Sequence, residues 1–81
     1  MKLVSLSTSE ALSALREASR TGARLWIGYV NAEGRASQRV IDPIAVEGGY
    51  VSAFDHLHEE IRTFALHRIT GVRAVDDETS A

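Results

Sequence analysis

Apolar and polar positions alternate with two different periods along this chain, and the change falls near residue 24. Before it, Ala11, Leu12, Leu15 and Ala18 recur at helical spacing, which predicts an amphipathic helix over 7–21. Ser7-Thr8-Ser9-Glu10 reads as a capping box, with Ser7 and Glu10 satisfying each other's backbone donors. Leu6 is placed to staple against Ala11, and Thr21-Gly22 supplies a glycine stop. The apolar stripe is narrow, so a helix this short needs a surface to pack on.

From Arg24 the pattern becomes a series of short β-rich runs divided by turn residues. Leu25 to Val30 is the first run, Asn31-Ala32-Glu33-Gly34 a turn, and Ala36 to Ile41 the return. Asp42-Pro43 bends the chain, because proline has no N–H for a central ladder and restricts the residue before it. Ile44 to Glu47 resumes the strand, and Gly48-Gly49 turns tightly into Tyr50 to Asp55. After the loop His56-Leu57-His58-Glu59 come a strand over 60–65, one helical turn at Leu66-His67-Arg68 and a last strand over 69–75. One helix followed by five short strands predicts a mainly β domain, a small partly open antiparallel barrel capped by the helix. The whole chain, 1–81, is expected to be a single domain: helix 7–21, barrel 24–75, and a frayed acidic end at 76–81.

Composition narrows the functions available. At 81 residues, a chain buries only about 60–65% of its unfolded surface, which leaves little room for a deep substrate cavity beside a core. An enzyme is therefore not expected. There is no cysteine, hence no disulfide framework and no thiolate metal site; this fits a reducing compartment, and a cytoplasmic location is expected. Met1 to Leu6 has too short an apolar run for a signal peptide, and no stretch is long and apolar enough to cross a membrane.

The formal charge is −2, but its distribution is uneven. Over 20–75 seven Arg face six acids, whereas Asp76-Asp77-Glu78 concentrates three negative charges at the end. Bulk attraction to nucleic acid is excluded, so any anion recognition has to be local. Eight of the nine basic residues are Arg, whose planar fork suits phosphate and carboxylate.

Four stretches together resemble the WYL domain: Ile27-Gly28-Tyr29; Gly34 through Ser37 with Arg39, Val40 and Asp42-Pro43; Tyr50 through Asp55; and Arg62 through Ile69. The chain departs from that pattern where Gly49-Tyr50-Val51 stands in place of Trp-Tyr-Leu, at His67 for a frequent Asp, and at Ala65 for a frequent Arg. The resemblance implies an Sm-like small five-stranded β-barrel, most similar to the copies in bacterial helicase-associated proteins. It also implies an accessory module of a longer regulatory protein, with transcription regulation, ligand sensing and DNA or other nucleic-acid binding as the associated roles. Carried over by position, the family's basic surface patch implicates Ser37, Arg39, Tyr50, Arg62, Phe64 and Arg68. Single-stranded DNA or RNA, or a nucleotide-like anion, is the implied ligand, and no cofactor is expected.

Alternation supports part of that list. Ser37 and Arg39 share a strand face, as do Arg62 and Phe64, and arginine forks beside a ring suit phosphate plus a stacked base. The plainer alternative pairs Arg39, Arg62 and Arg68 with Asp42, Asp55, Glu59 or Glu60 as surface ion pairs. A second functional alternative is a protein-interaction module or homodimer acting through exposed edge strands. Trp26 and Tyr29, three apart, cannot face the same way, and Tyr29 is the expected core residue. The two histidines and two carboxylates of 55–59 offer only generic proximity to a metal, so no metal site is expected.

Overall fold

The computed structural model describes residues 8–75; the cap residue Ser7, the Leu6 staple and the acidic end 76–81 lie outside them. Helix α1 runs Thr8–Thr21. Its buried side chains are Ala11, Leu15 and Ala18, one stripe at helical spacing, with Leu12 half-buried beside them. The helix ends on a left-handed glycine cap. Ala18 O accepts from Gly22 N–H at 2.8 Å and Ala23 N–H at 3.0 Å, and Gly22 takes φ +79°, a conformation costly for residues with a Cβ.

Five strands follow: β1 Leu25–Val30, β2 Ala36–Glu47, β3 Tyr50–Asp55, β4 Glu60–Ala65 and β5 Ile69–Ala74. The three-residue 3₁₀ turn η1, Leu66–Arg68, joins β4 to β5. They form one antiparallel sheet in the order β4-β3-β2-β1-β5. The expected small antiparallel β architecture is therefore present, left open because β4 and β5 are its two edges. Among the described residues no helix is long and apolar enough to cross a membrane.

The turns follow from their residues. Asn31 Oδ1 accepts from the N–H groups of Glu33 and Arg35, both at 2.9 Å, which folds the β1–β2 connection around one side chain. Gly48 and Gly49 both have positive φ (62° and 82°), as a two-residue hairpin between the paired Glu47 and Tyr50 requires.

Asp42-Pro43 interrupts the ladder without ending the strand: β2 is continuous for 12 residues, with a register shift between Pro43 and Ala45. The irregularity absorbs proline's missing N–H, because a bulge already interrupts the ladder there. Residues 36–41 of β2 pair β1 and residues 41–47 pair β3, on both sides of the shift, so Ile41 has partners on both sides, Leu25 and Asp55.

Alternation assigns Leu25, Ile27, Ile41, Val51, Ala53 and Phe64 to the inner face, where they pack with the α1 stripe and Val72. Leu15, Ile27, Ile41 and Val51 are fully buried. Tyr29 joins this side, edge-on to Phe64 at a ring separation of 5.2 Å. Trp26 lies on the other side, opposite Arg73, whose guanidinium sits 5.2 Å from the indole centroid. The inner face is not covered evenly. Past Ile41 toward the start of β2, and past Phe64 toward the start of β4, its side chains become Arg39, Ser37, Arg62 and Glu60, and burial falls away.

Candidate anion-binding groove

The uncovered part of the inner face is built on Asp55. Val51, Ala53 and Asp55 alternate inward along β3, so the strand delivers a carboxylate to a position as buried as its apolar neighbours. Asp55 is the one buried charged residue among those described, and a buried charge has to be compensated.

Compensation comes from three elements. Arg39 Nη1 on β2 donates to Asp55 Oδ2 at 2.8 Å. His58 Nδ1 in the β3–β4 loop lies 2.9 Å from the same oxygen. Leu57 N–H donates to Oδ1 at 2.9 Å, closing an Asx turn, and Arg62 Nε on β4 stands 3.9 Å from Oδ2. Burial works against the charge, but the His58 hydrogen bond, the Leu57 N–H and the Arg39 charge outweigh it and hold the Asp55 carboxyl below the usual carboxylate range.

The loop geometry serves this arrangement. Glu59 N–H donates to Asp55 O at 2.7 Å, and Glu59 is the only non-glycine residue with positive φ (56°) among those described. His56 turns away from the groove, with Nε2 2.9 Å from Asp42 Oδ2 and its ring edge-on to Phe54. Asp42 also accepts from Arg24 Nε at 2.9 Å. Burial raises its pKa, but the Arg24 and His56 hydrogen bonds and charges more than offset this, so it too is lowered. The two histidines thus serve different carboxylates on opposite sides of the sheet, and no three His, Asp or Glu among the described residues are grouped to hold a metal.

Beside Asp55 opens a groove of about 320 Å³ lined by Tyr29, Asn31, Arg39, Arg62, Phe64 and Arg68, among others. Arg62 Nη1 reaches Glu60 Oε2 at 3.1 Å, and Arg68 Nη1 donates to the Asn31 carbonyl at 2.9 Å. Three guanidinium groups therefore meet two carboxylates, Asp55 and Glu60, leaving one positive charge in excess. Arg39 Nε is buried without a hydrogen-bond partner among the described residues. Such a groove suits an anion with oxygens on several sides, because each arginine presents a donor fork.

Of the six residues implicated by the sequence, Arg39, Arg62, Phe64 and Arg68 line this groove. Phe64 does so from the core: it is 3% exposed and braced by Tyr29, so its faces are not free to stack a base. Tyr50 alternates with the buried Val51, points to the other side of the sheet and is 52% exposed. Ser37 shares the Arg39 side of β2 but is exposed and lines a different shallow groove, with Gly28, Gln38 and Thr70. Asp55 stood in the sequence as one of four acids that could pair an arginine and as a carboxylate of the 55–59 loop, not as the centre of a site. The signal that singles it out is its parity: it is a carboxylate two positions beyond Ala53 on the apolar side of a strand.

A helix thus covers part of one face of a five-stranded antiparallel sheet, and an arginine-lined groove opens on the rest of that face. The chain belongs to the WYL family, since the WYL domain matches residues 10–74. Among solved structures it is similar to proteasome accessory factor B/C (PafBC) of Arthrobacter aurescens, at a TM-score of 0.78 and 21% sequence identity. That likeness covers 100% of this chain and 14% of the other. At this identity it bears on the fold, and the present chain spans a small part of that protein's length. No curated protein matches the chain.

Proposed function

We propose that this WYL domain is a non-catalytic sensing module that binds single-stranded nucleic acid or a nucleotide-like anion in the arginine groove. It would act within a longer cytoplasmic regulator, of which helicase-associated proteins are one setting. The observation that carries the reading is the convergence of Arg39, Arg62 and Arg68, from β2, β4 and η1, on one groove with an excess of positive charge. Family membership supports a ligand-binding role, and the short span of PafBC matched supports a module among other domains.

The groove also refines the ligand. Its arginines can hold phosphate, whereas the buried Phe64 offers no open ring face, so recognition rests on phosphate more than on base. A volume of about 320 Å³ is at the small end for ligand sites, enough for one nucleotide unit at a time. Affinity is then modest and strongly salt-dependent.

Fluorescence anisotropy with labelled single-stranded DNA and RNA, and competition by mononucleotides, tests this reading. Binding that weakens as salt rises and is largely lost in Arg39→Ala and Arg62→Ala is expected. Absence of binding by both oligonucleotides and mononucleotides at low salt rejects it. The open β4 and β5 edges support a second reading, self-association by strand pairing, which a concentration-dependent dimer on gel filtration would favour.

A further inference from the structure

Asp55 Oδ2 is shared. Arg39 Nη1 reaches it at 2.8 Å, His58 Nδ1 at 2.9 Å and Arg62 Nε at 3.9 Å, while Arg39 Nη1 lies 3.5 Å from His58 Nδ1. An imidazole, a ring that can take up a proton, therefore touches both the buried carboxylate and the guanidinium that lines the groove. We propose that His58 is a proton-dependent regulator of the groove, competing with Arg39 and Arg62 for Asp55 and thereby setting how much of their charge a phosphate ligand meets. This rests on the anion-binding reading above.

With the imidazole neutral, Nδ1–H donates to Asp55 and adds no charge, so the carboxylate is balanced mainly by Arg39. Protonation places a full positive charge at hydrogen-bond distance from Oδ2. Asp55 is then neutralised from the loop side, Arg39 gains a like-charged neighbour at 3.5 Å, and the groove becomes more positive. The charged and titratable groups around this point are Arg39 on β2, Glu59 in the loop, Glu60 and Arg62 on β4, Arg68 on η1 and Tyr29 on β1; the arginines hold their charge throughout. His58 is 42% exposed at its side chain, so water and protons reach it. Linkage makes the effect reciprocal: a ligand that binds better to the protonated form must itself promote protonation.

The test is anisotropy with a fluorescein-labelled oligothymidylate at constant ionic strength between pH 8 and pH 5.5. One added charge beside a partly solvated groove is expected to tighten wild-type binding by roughly threefold to tenfold over this range. His58→Asn, which keeps an N–H donor near the Nδ1 position, is expected to bind like wild type at pH 8 and to lose most of the rise. His56→Gln, altered on the opposite side of the sheet, is expected to retain it. A full rise in His58→Asn overturns the inference while leaving the anion-binding reading intact. Failure of the wild type to bind at every pH overturns both. Independently, the His58 ring proton followed by NMR is expected to titrate at higher pH once inorganic phosphate occupies the groove, and an unmoved titration counts against the inference.

Discussion

Arg39 reaches Asp55 diagonally across two strands: Asp55 sits opposite Ile41, and Arg39, two residues earlier on the same side of β2, donates to its carboxylate at 2.8 Å. One contact thus fixes the inner end of β3 and orients a groove-lining guanidinium. Removing the acid leaves Arg39 without its partner in a site where its side chain is only 18% exposed. Asp55→Ala is expected to destabilise the domain by about 3 kcal/mol, as loss of one member of a buried pair does, with Asp55→Asn costing less because the amide still accepts from Leu57 N–H. Urea unfolding followed by circular dichroism measures both.

The lowered carboxyls make stability depend on acid in a defined direction. Asp42 and Asp55 both hold their charge more firmly when folded than their ordinary value of 3.8. The unfolded chain therefore binds more protons than the folded one between the depressed values and the ordinary one. Their contribution is complete above the ordinary value and is lost as pH falls through the folded values. Thermal melts are expected to show a drop in Tm below about pH 4, shallower in Asp42→Asn, which lacks one of the two linked groups.

Salt dependence separates groove arginines from the rest. Arg62→Ala is expected to weaken oligonucleotide binding similarly across sequences and to reduce the slope of log K against log salt by about one. Tyr50→Ala is expected to leave both unchanged, because its side chain lies across the sheet from the groove. A Tyr50→Ala variant that binds as poorly as Arg62→Ala would move the site to the other face.

Phe64 acts through packing. Phe64→Ala is expected to cost about 3–5 kcal/mol in stability, and Phe64→Leu, which keeps most of the apolar volume against Tyr29, markedly less. Where Phe64→Leu remains folded, as judged by its urea midpoint, oligonucleotide affinity should stay within about twofold of wild type; base stacking is worth roughly 1–3 kcal/mol, so a much larger loss would indicate stacking.

Much of this was legible in the sequence because local chemistry dictated it. Gly22 marked the helix end, Gly48-Gly49 the hairpin, and alternation put Arg39 on the face of Ser37 and Arg62 on the face of Phe64. The continuity of β2 through Asp42-Pro43 was not legible. Pro43 announced a disturbance of the ladder but not that a register shift would take it up within one strand, nor that Arg24 and His56 would both hold Asp42. Within the candidate site, alternation placed Phe64 beside Arg62 but carried no information on where α1 stops covering the face. Phe64 falls under the core and Arg62 outside it, and that boundary is a tertiary fact. Tyr50 was implicated through the resemblance, although its parity with Val51 already set it apart.

The double pairing of Ile41 has a mechanical meaning. Ile41 is the one β2 residue registered to both β1 and β3, so the pair of strands that carries Arg39 and the pair that carries Arg62 meet across it. Both groove arginines are thereby held by strands registered through one fully buried isoleucine. Leu25, paired to Ile41 on its other side, ties the same crossing to the strand that follows the helix.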